Sequence, residues 1–341
     1  MEPEIRPLDP ADEPTVAAVQ EWRVAVEAAD LPDFPPPSPF AFRAELTFPR
    51  TTKRTEHLVA RRDGAVAGYL ALELPLRENL DNVEVTLSVH PAHRRRGVGR
   101  ALHAYLLERM RELGRIRYAS GTIEALPGGG GPARSDAGRA FATAMGAKPA
   151  LDEVHRRLDL TTSDQPALAL MLTEARSKAA GYRVVTWSGP APEQYAADVG
   201  YLDGRLVSDA PMGDLRWEPP KVDVDRVREV EDAMAAARYH VYSAGAVHEQ
   251  TDRMVALTAI LRQETTPWHA FQMITLVDPP HRGHRLGALV KVENLRYAQT
   301  QEPELQVIDT WNAAVNQHMI SINEAMGFRP VDSWVNWQQE I

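Results

Sequence analysis

The feature that most constrains this chain is a pattern that occurs twice. In each half, an apolar strand ends in a valine, a short basic loop follows, and a helix begins. The spacing is the same in both halves, from Val89 to Gly97 and from Val277 to Arg285. A supersecondary order that recurs in this way indicates duplicated domains. Identity between the halves is low, so the duplication is inferred from the pattern alone.

The length of the chain agrees with a duplication. Its 341 residues exceed the roughly 150 that one average domain needs. We predict an N-terminal domain over residues 1–160, a linker over 161–181 and a C-terminal domain over 182–341. Ser163 or Asp164 is placed to cap the helix that follows the break.

Helices and strands alternate in both predicted domains. In the first, we predict a helix near 11–29, strands near 57–60, 65–76 and 82–89, a helix from Val98, a strand near 116–123, a helix near 135–145 and a strand pair that ends near Leu160. In the second, we predict a strand near 182–187, a helix near 224–238, strands near 239–246, 254–261 and 270–277, a helix from Leu286, a strand near 305–309 and a closing helix near 312–326.

Composition excludes several classes of protein. With no cysteine, the chain has no disulfide, thiolate metal site or cysteine nucleophile. The sequence lacks an apolar stretch that could span a bilayer and lacks a signal region, so we expect a cytoplasmic protein without a membrane partner. The formal charge of -9 argues against nucleic acid and slightly favours a cationic amine as substrate.

The first basic loop has the features of a pyrophosphate site. At the start of a helix, exposed backbone N–H groups and the helix dipole favour negative charge. Small residues let a phosphate approach the backbone, and arginines add positive charge. The loop lacks the dinucleotide and Walker patterns, and a basic helix start without a ligand is the alternative interpretation. The candidate contacts are Arg94, Arg95, Arg96, Gly97, Val98, Gly99 and Arg100.

The second basic loop repeats this arrangement with one substitution. Arg285 stands where the first loop has Gly97, which would hinder the approach of a phosphate while adding positive charge. His281 and His284 have a spacing that a metal ion could use, but no third ligand is evident, so we predict no metal. The candidate contacts of this loop are Arg282, Gly283, His284, Arg285, Leu286 and Gly287.

Both loops resemble the signature of the GNAT superfamily of N-acetyltransferases, which is Arg or Gln, two residues, Gly, one residue, then Gly or Ala. Arg94, Gly97 and Gly99 match it in full, and Arg282 and Gly287 are in register with it. The resemblance implies an α/β fold with two tandem GNAT-like domains. Each would have a mixed, mainly antiparallel sheet flanked by helices.

The resemblance also implies the cofactor and its contacts. In the family, the loop binds the pyrophosphate of acetyl-CoA, which we therefore expect as co-substrate. The backbone of the preceding strand binds the pantetheine arm, which implies Leu87 and Val89 in the first half and Val277 in the second. The closing helix often contacts CoA as well, and Asn316 stands at that position.

Transfer to an amine requires a base, because only the neutral amine attacks. In the family the base is often a glutamate on the strand before the loop, which implies Glu84. The alternative for this residue is a solvent-facing strand position. The equivalent position in the second half is Gln272, which cannot act as a base. Other candidate bases there are His248, Glu249 and His269.

The family's usual acid, a tyrosine in the closing helix, is missing from both halves. Ala142 and Asn323 stand at its positions, and Asn323 could donate a hydrogen bond instead. A thiolate can also leave unprotonated near helix dipoles. Trp268 or Trp311 could line a substrate cleft, and the loop over 209–214 could border the acceptor site.

We predict that the chain transfers an acetyl group from acetyl-CoA to the amine of a small molecule by direct attack. The alternatives are a noncatalytic CoA-binding or scaffold protein, and an N-acetyltransferase that acts on a protein N-terminus or lysine. The sequence leaves the acceptor, the acyl chain and the catalytic half open, and one working site beside one structural copy is common in tandem proteins. We expect a monomer or homodimer with no nucleic-acid partner.

Overall fold

The chain folds into two units, and the computed structural model describes residues 2–341. The first unit consists of residues 2–153, Met212–Glu218 and Asp332–Ile341, and the second of Val154–Pro211 and Pro219–Val331. This division differs from the predicted boundaries, because the C-terminal segment belongs to the first unit and the predicted linker to the second.

The helices and strands are numbered in chain order. Up to residue 160 they are β1 (Glu4–Pro7), α1 (Glu13–Asp30), α2 (Pro39–Thr47), β2 (Lys53–Arg62), β3 (Ala65–Pro75), β4 (Asn82–Val89), α3 (Val98–Glu112), β5 (Arg117–Ala125), α4 (Ala137–Ala144) and β6 (Lys148–Asp159). Beyond it they are α5 (Gln165–Lys178), β7 (Tyr182–Ser188), α6 (Ala196–Gly204), α7 (Leu206–Asp209), α8 (Val224–Ala236), β8 (Tyr239–His248), β9 (Arg253–Gln263), β10 (His269–Val277), α9 (Leu286–Gln301), β11 (Val307–Ala313), α10 (Gln317–Met326) and β12 (Arg329–Glu340).

Local sequence explains where several elements begin. The carboxylate of Asp12 accepts the N–H of Thr15 and caps α1, and Asp164 caps α5 in the same way. The hairpin between β2 and β3 turns at Asp63 (φ 53°) and Gly64 (φ 82°), both left-handed. Asp-Gly is a favoured pair for such a tight turn.

The first unit contains a sheet with the strand order β1-β2-β3-β4-β5-β12, followed by the first residues of β6. Strands β4 and β5 are parallel, and they pair only from Asn82 to Glu84. The pairs β1–β2, β2–β3, β3–β4 and β5–β12 are antiparallel. Helix α3 packs on one face through Leu102, and α1 and α2 pack on the other through Trp22 and Phe42. Beyond Glu84, β4 and β5 separate and leave a gap.

The second unit repeats this plan with the strand order β6-β11-β10-β9-β8-β7, in which β6 contributes its last residues. Strands β10 and β11 are parallel and pair only from His269 to Phe271. A one-residue bulge interrupts β10 between Gln272 and Thr275. Helices α5 and α9 pack on one face, and α6 contacts β9 and β10. The predicted α/β class is confirmed, with a mixed, mainly antiparallel sheet in each unit.

Several segments differ from the predicted elements, and β1, α2, α6 and α7 were not predicted. The predicted linker, 161–181, contains the helix expected after the cap at Ser163 or Asp164, which is α5, and the apolar face of α5 (Leu172, for example) is buried against α9. The closing helix α10 begins only after Asn316, because the side chain of Asn316 caps it, and Asn312 lies in β11 instead. Strand β12, which the sequence analysis did not predict, pairs with β5 along nine residues from Asp332.

Neither a membrane span nor a metal cluster is found within residues 2–341. No helix in this range is long and apolar enough to cross a membrane. No group of three or more His, Asp or Glu side chains there could hold a metal ion. His281 and His284 contact Tyr182 instead: His281 Nδ1 lies 2.9 Å from the Tyr182 hydroxyl, and the ring centroids of His284 and Tyr182 are 5.2 Å apart.

Candidate functional site

The first basic loop presents a run of unpaired backbone N–H groups. After a 3-10 turn at Pro91–His93, the backbone is left-handed at Arg95 (φ 60°) and Gly97 (φ 86°), and α3 then begins. Among the described residues, no protein group accepts a hydrogen bond from the N–H groups of residues 95–100. Consecutive free donors at a helix start, with alternating backbone handedness, suit an anion.

The second basic loop has the same backbone with the residue types exchanged. The left-handed positions are Gly283 (φ 89°) and Arg285 (φ 54°). Within residues 2–341, the N–H groups of residues 283–288 also lack a protein acceptor. The left-handed backbone of Arg285 costs a non-glycine residue about 1–2 kcal/mol. Its guanidinium forms an ion pair with the carboxylate of Glu174, with Nη1 2.5 Å from Oε2. Arg285 therefore leaves the set of donors intact, contrary to the hindrance expected from the sequence.

Arg94 holds the first loop against the strand that precedes it. Its Nε donates to the carbonyl oxygen of Val89 at 3.0 Å, and its two Nη atoms bind the carboxylate of Asp30 at 2.8 and 2.6 Å. A bidentate pair of this kind fixes geometry as well as charge. The Arg94 guanidinium thus positions the loop instead of facing solvent as a free phosphate contact. The exposed arginines of the loop are Arg95, Arg96 and Arg100.

Arg282 repeats this arrangement in the second unit. Its Nε donates to the carbonyl oxygen of Val277 at 3.1 Å, and Nη2 lies 3.0 Å from Asp209. The N–H of Asp278 donates to the carbonyl of Val255 at 2.8 Å. Because alternate residues of an antiparallel strand face the same neighbour, the backbone N–H and C=O of Val277 point away from β9, toward the gap beside β11.

The gap in the first unit exposes the backbone groups that the resemblance implied. The N–H of His90 donates to the carbonyl of Ala67 on β3 at 2.9 Å. By the same alternation, Leu87 and Val89 direct their N–H and C=O groups away from β3. Pairing with β5 has ended at that point, so these groups line the gap. The Val89 carbonyl oxygen already accepts from Arg94, which leaves the Val89 N–H and both backbone groups of Leu87 facing the gap.

The first turns of the two helices differ in how tightly they pack. Val98 and Leu286 are buried in their cores, so only their N–H groups can contact a ligand. A Cβ added at Gly99 would lie 3.2 Å from Phe141 of α4. A Cβ added at Gly287 would meet only ordinary contacts, the nearest at 3.6 Å. Close packing therefore requires glycine in the first unit but not in the second.

Glu84 lies at the point where β4 and β5 separate. Its side chain is exposed, and within residues 2–341 it makes no hydrogen bond or ion pair. It stands directly across from Glu73 of β3, which is paired with Lys53. Partial loss of hydration raises the pKa of the Glu84 carboxyl, and the charge of Glu73 raises it further, against a smaller lowering by Lys53. A carboxylate with a raised pKa is a stronger base than an ordinary one.

The sheet beside Glu84 carries only small residues on the same face. The positions next to it on β5 are Ala119, which pairs with Glu84, and Gly121. A Cβ added at Gly121 would meet no atom within 4 Å. The face of the sheet where β4 and β5 separate is therefore open to a substrate beside the carboxylate.

The second unit has an aromatic residue where the first has Glu84. Spacing from the loop matches Glu84 to Gln272, but the bulge in β10 turns Gln272 to the other face of the sheet. There its side chain is buried and donates to Thr258 and to the carbonyl of Ala259. Phe271, the last residue of β10 that pairs with β11, takes the place of Glu84.

The space that is open in the first unit is filled in the second. Trp311 stands at the position of Gly121, and its ring centroid is 5.9 Å from that of Phe271. His155 stacks on Trp311 with ring centroids 4.8 Å apart. The prediction that Trp311 lines a cleft is thus replaced by a packed aromatic cluster on this face.

A buried carboxylate stands beneath this cluster. Asp309 is fully buried and accepts from Arg157 at 2.7 and 2.8 Å and from His269 at 2.7 Å, and His155 Nε2 lies 3.0 Å away. Burial alone would raise the pKa of Asp309, but the hydrogen bonds from these three side chains outweigh it and hold the pKa well below its ordinary value. His269 is therefore committed to a structural ion cluster and is not available as the base considered above.

We expect Asp309→Ala to lower the free energy of unfolding by about 3–5 kcal/mol, because it leaves the Arg157 guanidinium and the buried imidazoles of His155 and His269 without their acceptor. Since the folded pKa is depressed, the stabilisation is complete above the unfolded pKa of about 3.9 and is lost as pH falls below it. Urea unfolding at several pH values measures both effects. Glu264→Ala, which removes an exposed pair with Arg238, should cost about 0–1 kcal/mol, and an equal loss from both variants would contradict the structural role.

Asn323 does not reach a surface where a leaving group could be protonated. Its side chain is fully buried, and its Nδ2 donates to Asn312 at 2.6 Å. A side chain without exposed surface cannot contact a bound ligand in this conformation, so we withdraw its catalytic role. Asn316 is half-buried at the start of α10, and its Oδ1 is occupied by the N–H of Met319.

The remaining candidates lie away from the separated strands. His248 is the last residue of β8, and Glu249 follows it. Strand β9 lies between β8 and β10. His248 Nδ1 lies 3.0 Å from the Thr251 hydroxyl. Trp268 precedes β10 and packs edge-on against His269. In the predicted border loop 209–214, the N–H of Asp214 donates to the carbonyl of Ala150 within the first unit.

Comparisons with known proteins agree with this geometry. The model of the acetyltransferase (GNAT) family matches residues 20–125. Among solved structures, a tandem GNAT protein from the clavulanic acid biosynthesis pathway, determined without acetyl-CoA, is 33% identical, with a TM-score of 0.83 over 99% of this chain and 98% of that one. A GCN5-related N-acetyltransferase from Sphaerobacter thermophilus shares the fold at 16% identity, with a TM-score of 0.65 over 99% of this chain and 95% of that one. A comparison with curated protein sequences gave no match.

The family model and the tandem relative cover different shares of the chain. The family model matches less than half of the chain. The match to the 33% identical relative covers both proteins almost completely. GNAT proteins generally use acetyl-CoA, and both units here have the free loop donors and the separated parallel strands described above. The chain therefore belongs to the GNAT family and is a tandem N-acetyltransferase.

Proposed function

We propose that the first unit transfers an acetyl group from acetyl-CoA to the amine of a small molecule, with Glu84 as the general base. The observation that carries this proposal is the free Glu84 carboxylate beside an open face where β4 and β5 separate. The second unit offers Phe271 and a filled space at the same place. The family alone does not distinguish the two units, and this difference supports the first as the site of transfer.

The residues of the first unit fit acetyl-CoA. Unpaired N–H groups at residues 95–100, with Arg95, Arg96 and Arg100 exposed around them, suit a pyrophosphate. The backbone groups of Leu87 and Val89 suit the amides of the pantetheine arm. When bound, acetyl-CoA supplies the activated acyl group as a thioester.

Glu84 removes one proton from the attacking amine as the C–N bond forms, directly or through one water. The C–S bond breaks, and the CoA thiolate leaves and takes a proton from solvent. Neither closing helix offers a tyrosine to protonate it, since α4 has Ala142 at that position and Asn323 of α10 is buried. The chain contains no cysteine, which agrees with direct attack.

For the second unit, we propose cofactor binding without transfer. Its loop has the same free donors at residues 283–288, but the acceptor face is packed with Phe271, Trp311 and His155. The alternative of a noncatalytic CoA-binding protein thus applies to this unit, whereas the free Glu84 favours catalysis in the first.

A calorimetric titration with acetyl-CoA, followed by an amine screen that detects thiol release, tests this proposal. We expect two molecules of acetyl-CoA to bind per chain and small amines to be acetylated. The chain contributes no thiol background because it lacks cysteine. Tight binding without release of thiol for any small amine would contradict the proposed substrate class, and acetylation of peptides alone would identify a protein acceptor.

A further inference from the structure

Two carboxylates face each other across neighbouring strands at the candidate site. Glu73 of β3 and Glu84 of β4 are directly opposite in the antiparallel register. Side chains in such a pair have Cβ atoms about 4.5–5.5 Å apart, and like charges there destabilise a sheet. This pair is therefore a cost to the fold, and such costs concentrate at functional sites.

A single lysine pairs with one of these two carboxylates. Lys53 of β2 forms an ion pair with Glu73, and both side chains are about one-third exposed, at 33% and 32%. No cation pairs with Glu84 among the described residues. The charged groups that act on Glu84 from its neighbouring strands are Glu73 and Lys53. The three side chains form a bent row across β2, β3 and β4: Glu73 and Glu84 are directly opposite, whereas Lys53 reaches Glu73 diagonally, because Thr55 is the residue opposite Glu73.

The second unit lacks all three charges. The register of β8, β9 and β10 places Tyr239, Leu261 and Phe271 at the positions of Lys53, Glu73 and Glu84. The duplicated fold thus forms without this row of charges. Its presence in the first unit alone coincides with the presence of a free carboxylate and an open face.

We propose that Glu73 and Lys53 are positioning residues that set the proton affinity of Glu84 and hence the pH range of acetyl transfer. This inference rests on the proposed function, in which Glu84 must be ionised to accept a proton. Glu73 disfavours a second negative charge beside it, which makes Glu84 a stronger base. Lys53 limits this effect, because its positive charge favours the ionised form of Glu84.

The experiment is the pH profile of kcat/KM for three variants of the full chain. The acid limb of this profile is the rise of kcat/KM with pH as Glu84 loses its proton. Glu73→Gln removes the negative neighbour and leaves Lys53 close to Glu84, so the acid limb should move to lower pH. Lys53→Met removes the compensating cation, so the acid limb should move to higher pH. Lys53→Arg keeps the charge and should restore the wild-type profile. A merely structural role could lower activity in all three, but it would not move the limb in opposite directions.

Each outcome decides the inference. Opposite shifts support it, and unchanged limbs or shifts in one direction would overturn it. A parallel measurement on Glu84→Gln distinguishes failure of this inference from failure of the proposed function. If the acid limb persists in Glu84→Gln, the assignment of Glu84 as the base is itself wrong. Should Lys53→Met fold poorly, Glu73→Gln still tests the inference, because removing a like-charge pair should not destabilise the sheet.

Discussion

Glu84→Gln is expected to lower kcat by roughly 10²–10⁴-fold, the range that a positioned general base contributes. The glutamine keeps the size of the side chain and cannot accept the amine proton. Because Glu84 lies apart from the loop donors at residues 95–100, the affinity for acetyl-CoA should not change. Steady-state kinetics with the best amine, together with calorimetry, measure both quantities.

The same variant should change the pH dependence of the reaction. Glu84 must be deprotonated to act, so kcat/KM of the wild type should rise with pH through its pKa, which is raised above the ordinary range by lost hydration and by Glu73. This acid limb should be missing from the residual activity of Glu84→Gln. A drop in rate with the limb retained would assign the titration to another group.

A matched control comes from the opposite face of the neighbouring strand. Glu124 of β5 is paired with Arg139 of α4 and lies on the face of the sheet opposite to Ala119 and Gly121. Glu124→Gln changes the net charge by the same amount, and kcat should remain within a few-fold of wild type. An equal loss in both variants would mean that the effect is one of charge or stability, and not of a base at Glu84.

Much of this site could be predicted from the sequence, because the determinants of the loops are local. Strand β4 and the start of α3 follow from an apolar run, a polar loop and helix periodicity within 82–110. The left-handed position at Gly97 follows from residue type alone. The signature and its spacing therefore located both loops, including the less regular one around Arg285.

The acceptor face could not be predicted in this way, because it depends on register between distant strands. The bulge in β10 shifts Gln272 to the opposite face and puts Phe271 beside β11. A bulge inserts a residue without any mark in the local pattern of apolar residues. Counting back from the loop therefore gave the residue at the end of the parallel pairing in the first unit, but a residue on the opposite face of the sheet in the second.

The residue opposite Glu84 could not be predicted for the same reason. Glu73 is a single charged residue in a strand of apolar residues, and its opposite position becomes visible only when β3 and β4 are aligned. Strand β12 is a similar case, since nothing near residue 330 indicates that the following residues pair with β5. Pairings between residues far apart in the chain are tertiary information that propensity does not contain.

Gly99→Glu is expected to abolish acetyl transfer, whereas Gly287→Glu is expected to leave it unchanged. At Gly99 a new side chain starts 3.2 Å from Phe141 and places a carboxylate among the donors of the first loop. A like charge next to a phosphate costs several kcal/mol, so affinity for acetyl-CoA at this loop should fall by more than about 10²-fold. At Gly287 the same substitution should remove only binding in the second unit.

Calorimetry and kinetics on both variants separate the two loops. Each variant should bind one molecule of acetyl-CoA where the wild type binds two, and only Gly287→Glu should retain the wild-type kcat. Gly99→Gln, which has the same bulk without the charge, shows how much of the loss comes from crowding against Phe141. Urea unfolding checks that each variant is folded. If transfer is lost from Gly287→Glu instead, the catalytic unit is the second, and if it is lost equally from both, the units do not work as one active and one inactive site.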